Sequence, residues 1–303
     1  MINCGRVTIY FANFDFDDRL GGAAGPTVSA RNCRLLSQIA SVWTAISGPQ
    51  DTILVPGDQP PERDAEEDFV PWGWDSLAAR MAGTSAPSSD VMAATQCCND
   101  RRFAARFCPD AVFSDDASEI GRRVRGGHPV VLKTPHGGCG RGQLRLAGGP
   151  LPAGVDDWIA KRAARGGLVV EPYFAIVSEF ATHFDICRDA VVELGRTWLR
   201  SDAHGQFAAS VAAPETPFPP NDLTDVAEAA RGAGYRGPLS VDSAVLRDGT
   251  VRRVQDVNAR WTVGRLTLLR SLRDARPFAI VRGNRGWIFR PGDVALHTMR
   301  AGD

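Results

Sequence analysis

Lys133 closes an apolar run, Val130-Val131-Leu132-Lys133, and Thr134-Pro135-His136-Gly137-Gly138-Cys139-Gly140-Arg141-Gly142 follows. One fixed cation therefore stands beside several amides with no side chains in the way. Glycine permits positive φ and close backbone approach, and successive bare amides form a nest for phosphate oxygens. A Walker loop has the opposite order, with the lysine after the glycines and ahead of a helix. Here the lysine comes first, and Gln143 to Leu146 returns as a strand, so the glycines tip a hairpin. A plain mobile hairpin tip is the alternative for the same residues.

A second group lies near the C-terminal end. Asp242 sits inside the apolar run Ser240-Val241-Asp242-Ser243, and Asp256, Asn258 and Arg260 alternate along Gln255-Asp256-Val257-Asn258-Ala259-Arg260. Alternation with period two puts Asp256 and Asn258 on one strand face. The turn Arg247-Asp248-Gly249-Thr250 folds the two runs into a hairpin and brings Asp242 alongside. Two carboxylates and an amide oxygen make a hard-oxygen site suited to magnesium. Arg260 adds a cation able to hold a terminal phosphate. A solvated sheet face is the competing explanation. A third segment, Val169-Val170-Glu171-Pro172-Tyr173-Phe174, is an apolar strand broken at proline. Its unpaired backbone groups can recognise an adenine ring, with Glu179 shortly after to accept from ribose hydroxyls; a buried strand that simply ends at a loop is the alternative.

The elements that position these residues are α/β in character. Val7 to Phe11 and Thr52 to Val55 read as buried strands, with a helix from Ser29 to Ile46 between them. Gln59 to Asp68 reads as a polar loop, and Gly83 to Ser89 as a linker. Helices are expected at 100–107, 117–125, 155–165, 223–230 and 264–272. Strands are expected at 176–186, 190–195, 197–199, 239–246, 251–257 and 287–289. Asn221 or Asp222 is expected to cap the helix that starts near Leu223.

Composition excludes some classes. The 35 basic and 35 acidic residues cancel, which lacks the basic excess of a nucleic-acid binder. No apolar run approaches the ~20 residues that span a bilayer. The seven scattered cysteines form no CxxC pair, and no secretory signal precedes them, so a reducing cytoplasm is the expectation. Cys139, His136 and His183 read as loop or surface residues, and Trp72 and Trp74 as aromatic core.

Taken in order, these segments resemble the ATP-grasp superfamily between Ser89 and Leu272. Asn99-Asp100-Arg101-Arg102-Phe103 is similar to the motif that opens that module, and Val257 to Thr262 to a subset of peptide-forming ligases related to pheganomycin synthesis. The resemblance implies a small Rossmann-like domain over 1–88, a first ATP-grasp subdomain over 89–170 and a second over 171–303. It implies ATP and Mg2+ as cofactors. Lys133, Gly137, Gly138, Gly140 and Gly142 would hold phosphates; Glu171, Tyr173, Phe174 and Glu179 the nucleoside; Asp242, Asp256 and Asn258 the metal. Lys133 and Arg260 would be the catalytic cations. The implied activity is carboxylate activation as an acyl phosphate and coupling to an amine, with amino acids or a peptide as substrates and a homodimer as one assembly. A kinase of the same fold and a non-catalytic nucleotide-binding module are the alternatives. The chain departs from the pattern at three places. Asp256 stands where glutamate is commoner, Arg101 or Arg102 replaces an upstream lysine, and the interval before Glu179 is longer than usual.

Overall fold

The computed structural model describes residues 6–22, 38–59, 67–138, 142–202, 206–213, 217–283 and 286–292. Three sheets follow one another along the chain. The first is parallel, built from β1 (Thr8–Phe11), β2 (Thr52–Leu54) and β3 (Asp68–Pro71) in the order β2-β1-β3. Central β1 is buried at every position, which is why its sequence is a continuous apolar run. Strand β3 is not expected from the sequence; a short run ending in proline carries almost no signal until a partner is known. Helix α1 (Phe16–Leu20) follows β1 directly. Of the helix expected from Ser29, only the end is described, and Ser41–Ala45 is a 3-10 turn.

Trp43 stacks on Tyr10 at 4.7 Å and meets Trp72 and Trp261 edge-on at 5.6 and 5.2 Å. Leu266, Phe278 and Ile280 join the same buried cluster. The first sheet is thereby fastened to the last part of the chain, and Trp72 is core, as its type suggested.

Helices α2 (Ser76–Ala82) and α4 (Arg101–Ala105) are capped by aspartates. Asp75 accepts from the Ala78 amide at 2.7 Å, and Asp100 from the Arg102 amide at 2.8 Å. Between them runs α3 (Ser89–Cys98). The second sheet is antiparallel, with β4 (Val112–Ser114), β5 (Val130–Lys133), β6 (Gln143–Leu146) and β7 (Leu168–Pro172) in the order β4-β7-β5-β6. Helices α5 (Ala117–Val124) and α6 (Val155–Ala163) bury Ile120, Val124 and Ile159 against it. The hairpin is present, with Lys133 opposite Gln143.

The third sheet has the order β12-β11-β8-β9-β10-β13-β14, again antiparallel. Its members are β8 (Ile176–Ile186), β9 (Val191–Ser201), β10 (Phe207–Ala212), β11 (Gly237–Leu246), β12 (Val251–Asn258), β13 (Phe278–Gly283) and β14 (Gly286–Pro291). Helix α7 (Thr224–Gly232) follows β10, and α8 (Val263–Asp274) follows β12. Strand β9 is one element where the sequence suggested two; an extra residue near Gly195 shifts its register and blurs the alternation. Asn221 is not a cap: it is buried and donates to Ser243 Oγ at 2.9 Å, while Asp222 accepts from the Thr224 amide. Among the described residues no helix is long and apolar enough to cross a membrane.

His183 corrects an expectation. It is fully buried, with Nδ1 at 2.8 Å from Ser240 Oγ and Nε2 at 2.9 Å from Thr197 Oγ1. Burial, aided by Arg265, pushes the imidazole down to about 3, so it stays neutral. Helix α8 crosses above it through Gly264, where a Cβ would lie 2.9 Å from both His183 Cε1 and Thr197 Oγ1. Gly264→Ala is therefore expected to destabilise the fold by about 1–3 kcal/mol. Denaturant unfolding would measure this, and an unchanged midpoint would contradict the close packing.

Candidate active site between the second and third sheets

Lys133 sits at the end of β5 and Glu171 on the neighbouring β7. Glu171 pairs with Val131 across the ladder, so it shares a face with Lys133 one diagonal away. Their charged atoms, Nζ and Oε1, are 2.5 Å apart, and both residues are buried. Lys133 Nζ also donates to the Gln255 carbonyl on β12 at 3.1 Å. Arg252, from the same strand, pairs with the other Glu171 oxygen and lies over the Phe174 ring at 4.9 Å. Desolvation pushes the Lys133 ammonium down to about 8, opposed by the Asp256 carboxylate. Glu171 thus contributes its side chain as a bridge between the two sheets, while its strand ends at the predicted hinge. Tyr173 is exposed there, with Arg145 5.8 Å above its ring.

The glycine loop leaves β5 directly. Thr134 donates its amide to the Gly142 carbonyl at 2.8 Å and its hydroxyl to the His136 carbonyl at 2.7 Å. Gly142 has φ +70°, and a Cβ there would meet Thr134 Oγ1 at 2.2 Å. At Gly138 a Cβ would meet the Asp17 carboxylate at 2.2 Å. Gly137, with φ +151°, also takes a conformation open to glycine. Gly140 and Cys139 lie outside the described residues. His136 is not a surface residue; it packs 3.7 Å from Asp100, and burial pushes its imidazole down.

The expected hairpin brings the hard-oxygen group together. Asp242 and Asp256 are direct cross-strand partners, as are Ser240 and Asn258. Asn258 Nδ2 donates to Asp242 Oδ2 at 3.0 Å. Desolvation, then the carboxylates of Asp256 and Glu179, pushes the Asp242 carboxyl up to about 7. Two carboxylates facing each other across one rung is an arrangement that a divalent cation relieves. Among the described residues no group of three or more His, Cys, Asp or Glu is placed to hold a metal. The pair with Asn258 fits magnesium, which takes few protein ligands and completes its shell with phosphate oxygens and water. Glu179 is close by, but its oxygens are taken by Gln255 Nε2 at 2.6 Å and Ser201 Oγ at 2.8 Å.

Asp17 carries no signal in the sequence, and Asn99 only that of the motif it opens. Asp17 on α1 receives Arg260 through Nε at 3.0 Å and Nη2 at 3.0 Å, so Arg260 is anchored by the first sheet's domain. Asn99 accepts from the Ala259 amide at 3.0 Å and donates to its carbonyl at 3.1 Å, which fixes the chain between Asn258 and Arg260. The residues alone carried no signal for either contact; the Asn99 motif was visible only through the family resemblance.

No protein-family model matches the chain, and no curated protein matches it. Solved structures do match. N5-carboxyaminoimidazole ribonucleotide synthetase from Thermus thermophilus is 17% identical, with TM-score 0.53 over 91% of this chain and 82% of that one. N5-carboxyaminoimidazole synthetase from Staphylococcus aureus, complexed with ADP, is 11% identical, with TM-score 0.52 over 92% and 82%. The biotin carboxylase domain of Hydrogenobacter thermophilus 2-oxoglutarate carboxylase, with MgADP and bicarbonate, is 16% identical, with TM-score 0.53 over 91% and 74%. The chain has the fold of these proteins, the ATP-grasp fold behind a leading α/β unit.

A cation held by Asp242 must displace its proton. Because this pKa is raised, the stability that Asp242 contributes to the free protein is full below the ordinary carboxylate range and is lost as pH rises through about 7. Binding of ADP with magnesium is then expected to release a proton from Asp242 at pH 6 but not at pH 8.5, where Lys133, held near 8 in the free protein, instead takes one up beside the phosphates. Calorimetry in two buffers of different ionisation enthalpy measures the release, which Asp242→Asn should abolish. Equal release by that variant would remove Asp242 from the site.

Proposed function

We propose that the protein is an ATP-dependent carboxylate–amine ligase that forms ADP and phosphate. What carries this reading is the proximity of two groups. Lys133, at the head of the glycine loop, reaches the Gln255 carbonyl on the strand that bears Asp256 and Asn258, and Asp242 stands opposite Asp256. The matched structures with ADP, ATP or MgADP bound support a nucleotide there. In this reading residues 1–88, 89–170 and 171–303 are the three working units.

Magnesium would supply positive charge that neutralises the phosphates and draws them into line. Lys133 binds phosphate oxygens, with the amides around Gly137, Gly138 and Gly142 as further donors. Glu171 keeps Lys133 aimed, and burial strengthens every charge–charge contact in the cleft. The backbone beyond Pro172 receives the adenine, with Tyr173 and Phe174 beside it. Arg260, steadied by Asp17, faces the transferring phosphoryl group. A substrate carboxylate attacks the γ-phosphorus and ADP leaves; an amine then attacks the acyl carbon and expels phosphate, losing one proton. We take the acid and amine to be amino acids or short peptides.

The test is coupled ADP and phosphate release with magnesium and ATP across a matrix of amino-acid pairs. Equal ADP and phosphate that require both substrates are expected, with a loss of at least about 100-fold in Lys133→Ala and Asp256→Ala. ADP without phosphate would indicate a kinase instead. Magnesium-dependent ATP binding with no turnover by any pair would leave a substrate outside the matrix or a binding module.

A further inference from the structure

Positions 101 and 102 both carry arginine, and only one turns inward. Arg102 pairs with Asp100 at 2.5 Å, lies over Phe113 at 5.1 Å, and is half exposed. Arg101 is 4% exposed. Its backbone amide donates to the Pro135 carbonyl at 2.8 Å. Its guanidinium donates from Nη1 to the Thr134 carbonyl at 2.8 Å and from Nη2 to the Gly137 carbonyl at 2.6 Å. The remaining edge, Nε, is buried without a hydrogen bond and faces Asp256 Oδ2 at 3.6 Å.

One residue therefore grips the entry limb of the glycine loop at three carbonyls. The same guanidinium turns Nε to the Asp256 carboxylate of the third sheet. Burying an arginine this deeply is costly unless its donors are met. Only a planar guanidinium can serve two carbonyls on one edge and a carboxylate on another. A lysine keeps the charge, but its three donors radiate from one atom and cannot span these partners.

We propose that Arg101 is a positioning residue that locks the entry limb of the glycine loop to Asp256, so that the phosphate-binding amides and the metal-facing carboxylate are held in register before nucleotide arrives. The proposal rests on the nucleotide reading of the cleft. It departs from a simple exchange of one phosphate-binding cation for another, because the two terminal nitrogens are spent on loop carbonyls. The phosphates should feel its loss, and the adenosine end should not.

The experiment is calorimetric titration of MgATP and, separately, adenosine into wild type, Arg101→Lys, Arg101→Met and Arg102→Lys. Circular dichroism establishes that each is folded. Both Arg101 variants are expected to lose about tenfold or more in MgATP affinity, the equivalent of one charge-assisted hydrogen bond. Their adenosine affinity should stay within about twofold of wild type, as should both affinities of Arg102→Lys. If Arg101→Met does not fold, Arg101→Lys carries the comparison alone. Unchanged MgATP affinity, or equal losses for MgATP and adenosine, would overturn the proposal and leave the nucleotide site standing. A wild-type protein that binds neither ligand would overturn both.

Discussion

The cleft depends on one buried carboxylate. Glu171 lies between Lys133 of the second sheet and Arg252 of the third, so a single side chain pins two sheets and aims the cation at the head of the glycine loop. Removing one partner from such a buried group strands a charge and costs about 3–5 kcal/mol. A surplus of positive charge is tolerated here because Asp256 offsets it, and the low-dielectric surroundings that depress Lys133 also sharpen its pull on an anion. Stability and function meet in the same contact. Closing the two sheets together buries the Lys133–Glu171–Arg252 charges at their junction.

The other contacts extend that constraint outward. Asn99 grips Ala259 and thereby sets the strand end that carries Asn258 and Arg260. Asp17 holds Arg260 from α1, and the tryptophan cluster of Trp43, Trp72 and Trp261 keeps the first sheet seated. A Cβ at 138 would press on the Asp17 carboxylate, so a side chain there would disturb the Asp17–Arg260 pair. The first helix is therefore packed against both the glycine loop and Arg260.

How much of this could be read from the chain follows from the range of each interaction. Asp242, Asp256 and Asn258 were legible because strand alternation and one short turn place them, all within a single hairpin. Lys133 with its glycines was legible for the same reason. Glu171 was noticed for its backbone, while its side-chain role needed the β5–β7 register, which no local pattern encodes. Asp17 and Arg260 meet across 243 residues, beyond any periodicity. His183 misled because a lone histidine shows no pattern; its burial is set by Ser240, Thr197 and the bare Gly264 above it. Strands β10 and β13 were invisible, being short runs whose alternation is weak and whose bounds are set by their ladder partners.

The most direct measurement is a crystal structure grown with ADP and Mn2+, with the metal located by its anomalous signal. A peak within about 2.3 Å of an Asp256 oxygen, sharing the diphosphate and lying beside Asp242, is the predicted result. The diphosphate should then lie against Lys133 and the glycine loop. A nucleotide bound elsewhere, or a metal with neither aspartate in its shell, would contradict the account.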